Sequence, residues 1–92
     1  MSLLSILSAT DVQKELSASV RIKREQLKLS RPALAERSTV PIATIKKFET
    51  TGQISLRQFI LLWQCVDNLE ALEELTQEKE KKPRSINEVL GL

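Results

Sequence analysis

Nine lysines and arginines fall within positions 20–57 against three acidic residues, a local balance of +6 (9 − 3) in a chain whose total is +2. Clustered cations of this kind bind polyanions, because each one that neutralises a phosphate releases condensed counterions. Cations scattered over a solvated face do not act this way, so placement decides between the two readings. Lys46 and Lys47 are adjacent in the short run IATIKKFET (42–50), whose other members are mostly small, apolar or hydroxylic. Other chemistry is missing. The chain has no His, so no Ser-His-Asp or Cys-His nucleophile pair can form. Cys65 is the only cysteine, which excludes a thiolate zinc site and an internal disulfide. It has no cationic sequence neighbour and reads as a small core or interface residue. Gly52 and Gly91 are the only glycines, too few for a phosphate-cradling loop. No enzyme activity, no cofactor and no metal are expected.

These residues need elements to position them, and 92 residues suffice for one domain with a short extension. Helix formers dominate and Gly and Pro are scarce, so an all-α domain is expected. A first helix is predicted over 11–28, with Thr10 as N-cap, Asp11 in the first turn and Leu16, Val20 and Leu27 on one side. Ser30 then caps a short helix over 31–38, where Pro32 is tolerated in the first turn and Leu34 and Ala35 face inward. Thr39-Val40-Pro41 interrupts the pattern. The next helix spans 42–50 with Ile45 and Phe48 on one face, and Thr51-Gly52-Gln53 reads as a loop. Ser55 caps a helix over 56–66 with Leu56, Phe59, Leu62 and Val66 as its inward stripe. Asp67-Asn68 ends it, and Leu69, Leu72 and Leu75 mark a further turn or two. QEKEKKPR (77–84) is a charged linker, and the tail, 85–92, carries a capping-box pattern at Ser85 and Glu88. No apolar run reaches the length a membrane helix needs, the apolar start lacks a basic leader, and a cytoplasmic location is expected.

Two short helices joined by a three- or four-residue turn between longer ones form a helix-turn-helix, whose second helix can enter the major groove. The pattern needs a small residue where the helices cross, a buried residue after the turn and apolar anchors in the second helix. Ala35, Val40, Ile45 and Phe48 supply these in order. The stretch LSRPALAERSTVPIATIKKFETTGQISL (29–56) resembles the Cro/lambda-repressor-like (XRE-type) family, with the likeness covering about 20–75. Within it, TIKKFETTGQISL and LEALEEL are similar to small HipB-like regulators encoded beside HipA-type kinase toxins.

The resemblance implies a compact five-helix lambda-repressor-like DNA-binding domain over 1–76, with the helix-turn-helix at about 30–50 and the recognition helix at about 42–50. It places Ile42, Ala43 and Lys47 at base edges, and Arg31, Pro41, Thr44 and Lys46 at phosphates. Lysine can donate to guanine O6 or N7 and small apolar groups can meet a thymine methyl, while hydroxyl and ammonium groups suit phosphate oxygens. The resemblance also pairs Arg24 with Glu49 in a structural salt bridge. Three departures stand out: Arg31 where Gln is common, Thr39 where Gly often supplies a positive φ, and Lys23 where an apolar residue is usual. With one hydrogen-bonding side chain among three base-facing positions, the expected sequence specificity is either modest or leans on DNA shape.

The helix at 56–66 is apolar around most of its circumference. Either a second face is buried in a homodimer, through Ile60, Trp63, Leu69 and Leu72 or the N-terminal Leu3, Leu4, Ile6 and Leu7, or the core extends further round. A homodimer suits a palindromic operator on double-stranded DNA. The function expected is therefore a sequence-specific repressor. The alternative is an antitoxin that neutralises a HipA-like kinase toxin and autorepresses its operon, with the acidic stretch after 57 and the tail available to a protein partner.

Overall fold

Serine hydroxyls open three of the helices. The structure, a computed structural model, describes residues 6–78. Its first helix, α1, spans Ala9–Gln26. Ser8 Oγ accepts from the Asp11 amide at 3.0 Å, and an Asp11 carboxylate oxygen accepts from the Ser8 amide at 3.1 Å. This reciprocal box starts the helix two residues ahead of the expected start and moves the cap from Thr10 to Ser8. Ser30 caps α2, Arg31–Ser38, through the Ala33 amide at 3.1 Å, as expected. Ser55 caps α4, Leu56–Val66, through the Gln58 amide at 3.1 Å. Between them α3, Ile42–Thr51, begins after Pro41, which has no side-chain acceptor. A short α5, Glu70–Glu73, and one 3-10 turn, Glu74–Thr76, complete the described part. The described residues are all helical, with no strand. Leu3, Leu4 and all of the linker and tail beyond Glu78, including the pattern at Ser85 and Glu88, lie outside the described residues.

Left-handed residues end the first three helices. After α1, Lys28 takes φ 60°, the Lys28 amide donates to the Glu25 carbonyl at 2.9 Å and the Leu29 amide to the Arg24 carbonyl at 3.0 Å. That double bond pattern closes the helix and swings Leu29 into the core. Leu27, expected on the inward side, is instead 52% exposed, because the helix has already ended before the turn reaches it. Thr39 ends α2 at φ 66°, and its amide donates to the Ala35 carbonyl at 2.8 Å. The Ser38 hydroxyl, itself buried, accepts from the Val40 amide at 3.1 Å and satisfies the bend. Gly52 ends α3 at φ 81°, where a Cβ would approach the Gln13 backbone to 3.2 Å. Glycine is needed there both for the conformation and for the contact between α1 and the end of α3.

The core gathers Val20, Leu34, Val40, Ile45, Phe48 and Leu62, all essentially removed from water. Burying each such aliphatic or aromatic side chain contributes roughly 1.5–3 kcal/mol. The helices α1 and α2 each pack on both α3 and α4. Phe48 of α3 meets Phe59 of α4 edge-on with ring centroids 5.9 Å apart. The inward stripe of α4 is Phe59, Leu62, Trp63 and Val66, a regular i, i+3, i+4, i+7 set. Leu56 does not belong to it and is 74% exposed. Trp63, expected at a dimer interface, is 8% exposed and packs on Phe59 with centroids 5.9 Å apart. Its indole N–H donates to the Asn68 carbonyl at 2.8 Å, so both its apolar body and its polar tip are used inside the protomer. The core thus extends further round α4, and the interface assignment of Trp63 is corrected.

Candidate nucleic-acid interface

Helical periodicity divides α3 sharply. Ile45 and Phe48 are buried, Thr44 is half-buried, and Ile42, Ala43, Lys46 and Lys47 are exposed, with Pro41 exposed just before them. Its one acidic residue, Glu49, is withdrawn from that surface, with 1% of its side chain exposed. Arg24 of α1 grips this carboxylate with two bonds, Nε to Oε2 at 2.7 Å and Nη2 to Oε1 at 3.1 Å. The remaining Arg24 amino group donates to the Leu29 carbonyl at 2.8 Å. The pair expected between Arg24 and Glu49 is therefore present, and it ties α1 to α3 in the geometry that suits a guanidinium and a carboxylate.

Arg31 adds a third member that was not anticipated. Its Nε donates to Glu49 Oε1 at 2.9 Å, so the residue assigned to a phosphate is also an internal ion-pair partner. Two guanidinium groups share the Glu49 carboxylate, and Arg24 Nη2 also lies 3.9 Å from Glu25 Oε2, so the network of Arg21, Arg24 and Arg31 with Glu25 and Glu49 holds three positive and two negative charges. About a third of the Arg31 side chain stays exposed, and it lines an open depression with Ser30, Pro32, Ile42 and Lys46, bordered by Arg24 and Glu25. Glu25 is engaged by Arg21 Nε at 3.2 Å.

The other flank of α3 carries the second group. Ala43, Thr44 and Lys47 line a shallow groove with Gln53, Ile54, Ser55 and Gln58. Gln58 Oε1 accepts from Ser55 Oγ at 3.1 Å, which leaves its amide N–H₂ as a donor beside Lys47. The sequence reading missed Gln53 and Gln58, since a glutamine on a neighbouring helix shows its proximity to Lys47 only once α3 and α4 are placed. Six of the seven assigned contact residues thus line two depressions on opposite flanks of α3, and Pro41 sits at its head. The residues assigned to an interface are not brought together in this way. Ile60 and Leu72 are half-buried against the core, and Leu69 is exposed.

Lys23, the departure on α1, acts as a strut. Its ammonium lies 2.9 Å from Asp67 and 5.6 Å from the centre of the Trp63 ring, joining α1 to the end of α4. The hydrogen bond from Lys23, then that from the Asn68 amide, hold the Asp67 carboxyl below its ordinary range. Burial pushes the Cys65 thiol up, opposed in part by the charge of Arg37, so the group stays a protonated packing residue. No cluster of metal-ligating side chains occurs among the described residues, and no helix there is long and apolar enough to cross a membrane.

Neither a protein-family model, a characterised protein nor a solved structure matches this chain. The class its fold defines is that of a small all-helical protein, and its surface must carry the functional argument.

Proposed function

We propose that the chain is a sequence-specific DNA-binding regulator of the Cro/lambda-repressor-like type, with α2 and α3 as its helix-turn-helix and no catalytic role. The observation that carries this reading is the sorting of charge on α3. Its only acid is buried between two arginines while Lys46 and Lys47 share the open face with Ile42 and Ala43. A helix so sorted offers donors and methyl-sized apolar groups to a major groove and no repulsive carboxylate. Lys46 and Arg31, in one depression, suit the phosphate backbone, and Lys47, in the other, suits a base edge. The protein acts as a homodimer on a palindromic operator and represses transcription there. Ile60, Leu69 and Leu72 remain as the assigned interface once Trp63 is placed in the core.

The test compares Lys47→Ala with Lys46→Ala on a duplex selected from a random pool and on an unrelated duplex. Lys47→Ala costs about 1–3 kcal/mol on the selected duplex and relaxes the preference at one base pair. Lys46→Ala weakens both duplexes alike. Equal losses on both duplexes for Lys47→Ala remove it from base readout.

A second reading, an antitoxin that binds a HipA-like kinase toxin and autorepresses, is favoured by the exposed acidic residues Glu70, Glu73 and Glu74 beside exposed Leu69 and Leu75. That segment leaves a protein-binding surface separate from α3. Co-purification with a kinase-like protein encoded by the adjoining gene supports it, and failure to co-purify with one counts against it.

A further inference from the structure

Where the start of α1 meets the end of α3 and the start of α4, the surface forms an open apolar groove. Leu16, Phe48, Ile54, Leu56 and Phe59 line it, and no charged residue does. At its rim Gln13 Nε2 donates to the Gly52 carbonyl at 3.2 Å. Its volume of about 240 Å³ exceeds the ~150 Å³ at which an apolar cavity already takes a small hydrocarbon. Val12, one turn before Leu16 on the same face of α1, is exposed, and so is Leu56 at the mouth. Ile60 follows Leu56 by one turn of α4.

One segment of the chain suits this groove. Residues 1–7 read MSLLSIL, with four large aliphatic side chains and no charge. The other apolar segment outside the described residues, 85–92, carries Glu88 and follows a run of charges. A carboxylate laid in an uncharged apolar groove loses its hydration and gains no partner. The described part of the first segment does not lie on the groove of its own protomer. Ile6 and Leu7 are 81% and 65% exposed. Residues 6–8 make no turn and Ser8 is extended at φ −102°, ψ 167°, so the chain leaves α1 without turning back toward Leu16.

We infer that the groove is an interface between two copies of this chain, in which residues 3–7 of each protomer lie across the groove of its partner. Such an exchange is isologous: one two-fold axis near the start of α1 covers both grooves and both segments, and the contact closes at two copies. The inference rests on the homodimer of the functional reading and gives it a surface, which Ile60 borders and which Leu69 does not line.

The experiment measures the mass of the full chain by sedimentation equilibrium, without DNA, beside Leu56→Gln, the pair Ile6→Gln/Leu7→Gln, and Leu69→Gln. Circular dichroism of each variant accompanies it. The full chain is expected to be a dimer. Leu56→Gln and the pair are each expected to raise the dissociation constant at least about tenfold, because every change counts twice across a two-fold axis, while Leu69→Gln stays at the wild-type value. Equal amounts of a Leu7→Cys chain and a Leu56→Cys chain, both with Cys65→Ser, are expected to cross-link to each other through a short bismaleimide. A monomeric wild-type chain overturns the inference. So does a dimer that Leu56→Gln or the pair leaves intact, or that Leu69→Gln weakens as much. Cross-linking only within a chain that carries both cysteine changes assigns the segment to its own groove and overturns it too. Since no DNA is present, an intact dimer that binds no duplex removes the DNA-binding reading alone.

Discussion

Glu49 sits where three helices meet and accepts from Arg24 of α1 and Arg31 of α2 while belonging to α3. A carboxylate this far from water is tolerable only because both oxygens are bonded to guanidinium groups. Glu49→Ala leaves Arg24 buried with its fork unanswered and is expected to destabilise the fold by about 3–5 kcal/mol. Urea denaturation measures this, and a loss below about 1 kcal/mol contradicts the account. The strut at Asp67 is weaker and tunable by pH. Its carboxyl is held below the ordinary range by Lys23, so the pair stabilises the fold above that range and the contribution is lost as pH falls through the lowered value. The stability gap between wild type and Asp67→Asn is therefore present at neutral pH and closes in acid; a gap that widens in acid contradicts the assignment. Trp63 is part of the same corner, and Trp63→Ala is expected to cost about 3–5 kcal/mol through the cavity it leaves. Unchanged unfolding with a lost oligomer would return the residue to an interface.

At the scale of elements, the turn between α2 and α3 decides how the candidate reading helix is presented. Thr39 occupies φ 66°, a region where a β-branched residue costs about 1–2 kcal/mol. Against the extra chain entropy of glycine, Thr39→Gly is expected to stabilise the protein by about 0.5–1 kcal/mol without weakening DNA binding. A lowered denaturation midpoint contradicts this. The sequence marked the position as one where Gly often supplies a positive φ but left open whether the turn is strained or differently shaped, and Thr39 keeps the positive φ. The caps at Ser30 and Ser55, whose hydroxyls precede clear helical patterns, were legible in the sequence, as was the buried pair Ile45 and Phe48. The cap at Ser8 was not, because its box partner is an aspartate and the hydroxyl of Thr10 competes for the same role. The stripe of α4 was misassigned at one end because Leu56 and Trp63 both fit a helical period around Phe59 and Leu62. Only the positions of α1 and α2 choose between them, and periodicity within α4 contains no information about its neighbours. Arg31 shows the same limit for charge: sequence reveals the cation, and the folded chain reveals its partner.

The described residues separate their charge along the chain. The basic stretch 20–57 falls on α1 to α4, while Glu70, Glu73, Glu74 and Glu78 are exposed on and after α5. A total of +2 hides this arrangement, and the burial of Glu49 sharpens it by removing the one acid from the outward face of α3. We propose that this face reads double-stranded DNA. The most direct test of that proposal is equilibrium binding of a duplex selected from a random pool, followed as a function of salt beside an unrelated duplex. The account predicts tighter binding of the selected duplex and a log K that falls linearly with log salt, with a slope near −0.9 for each phosphate neutralised. A slope near zero, or equal binding of both duplexes at every salt concentration, contradicts it.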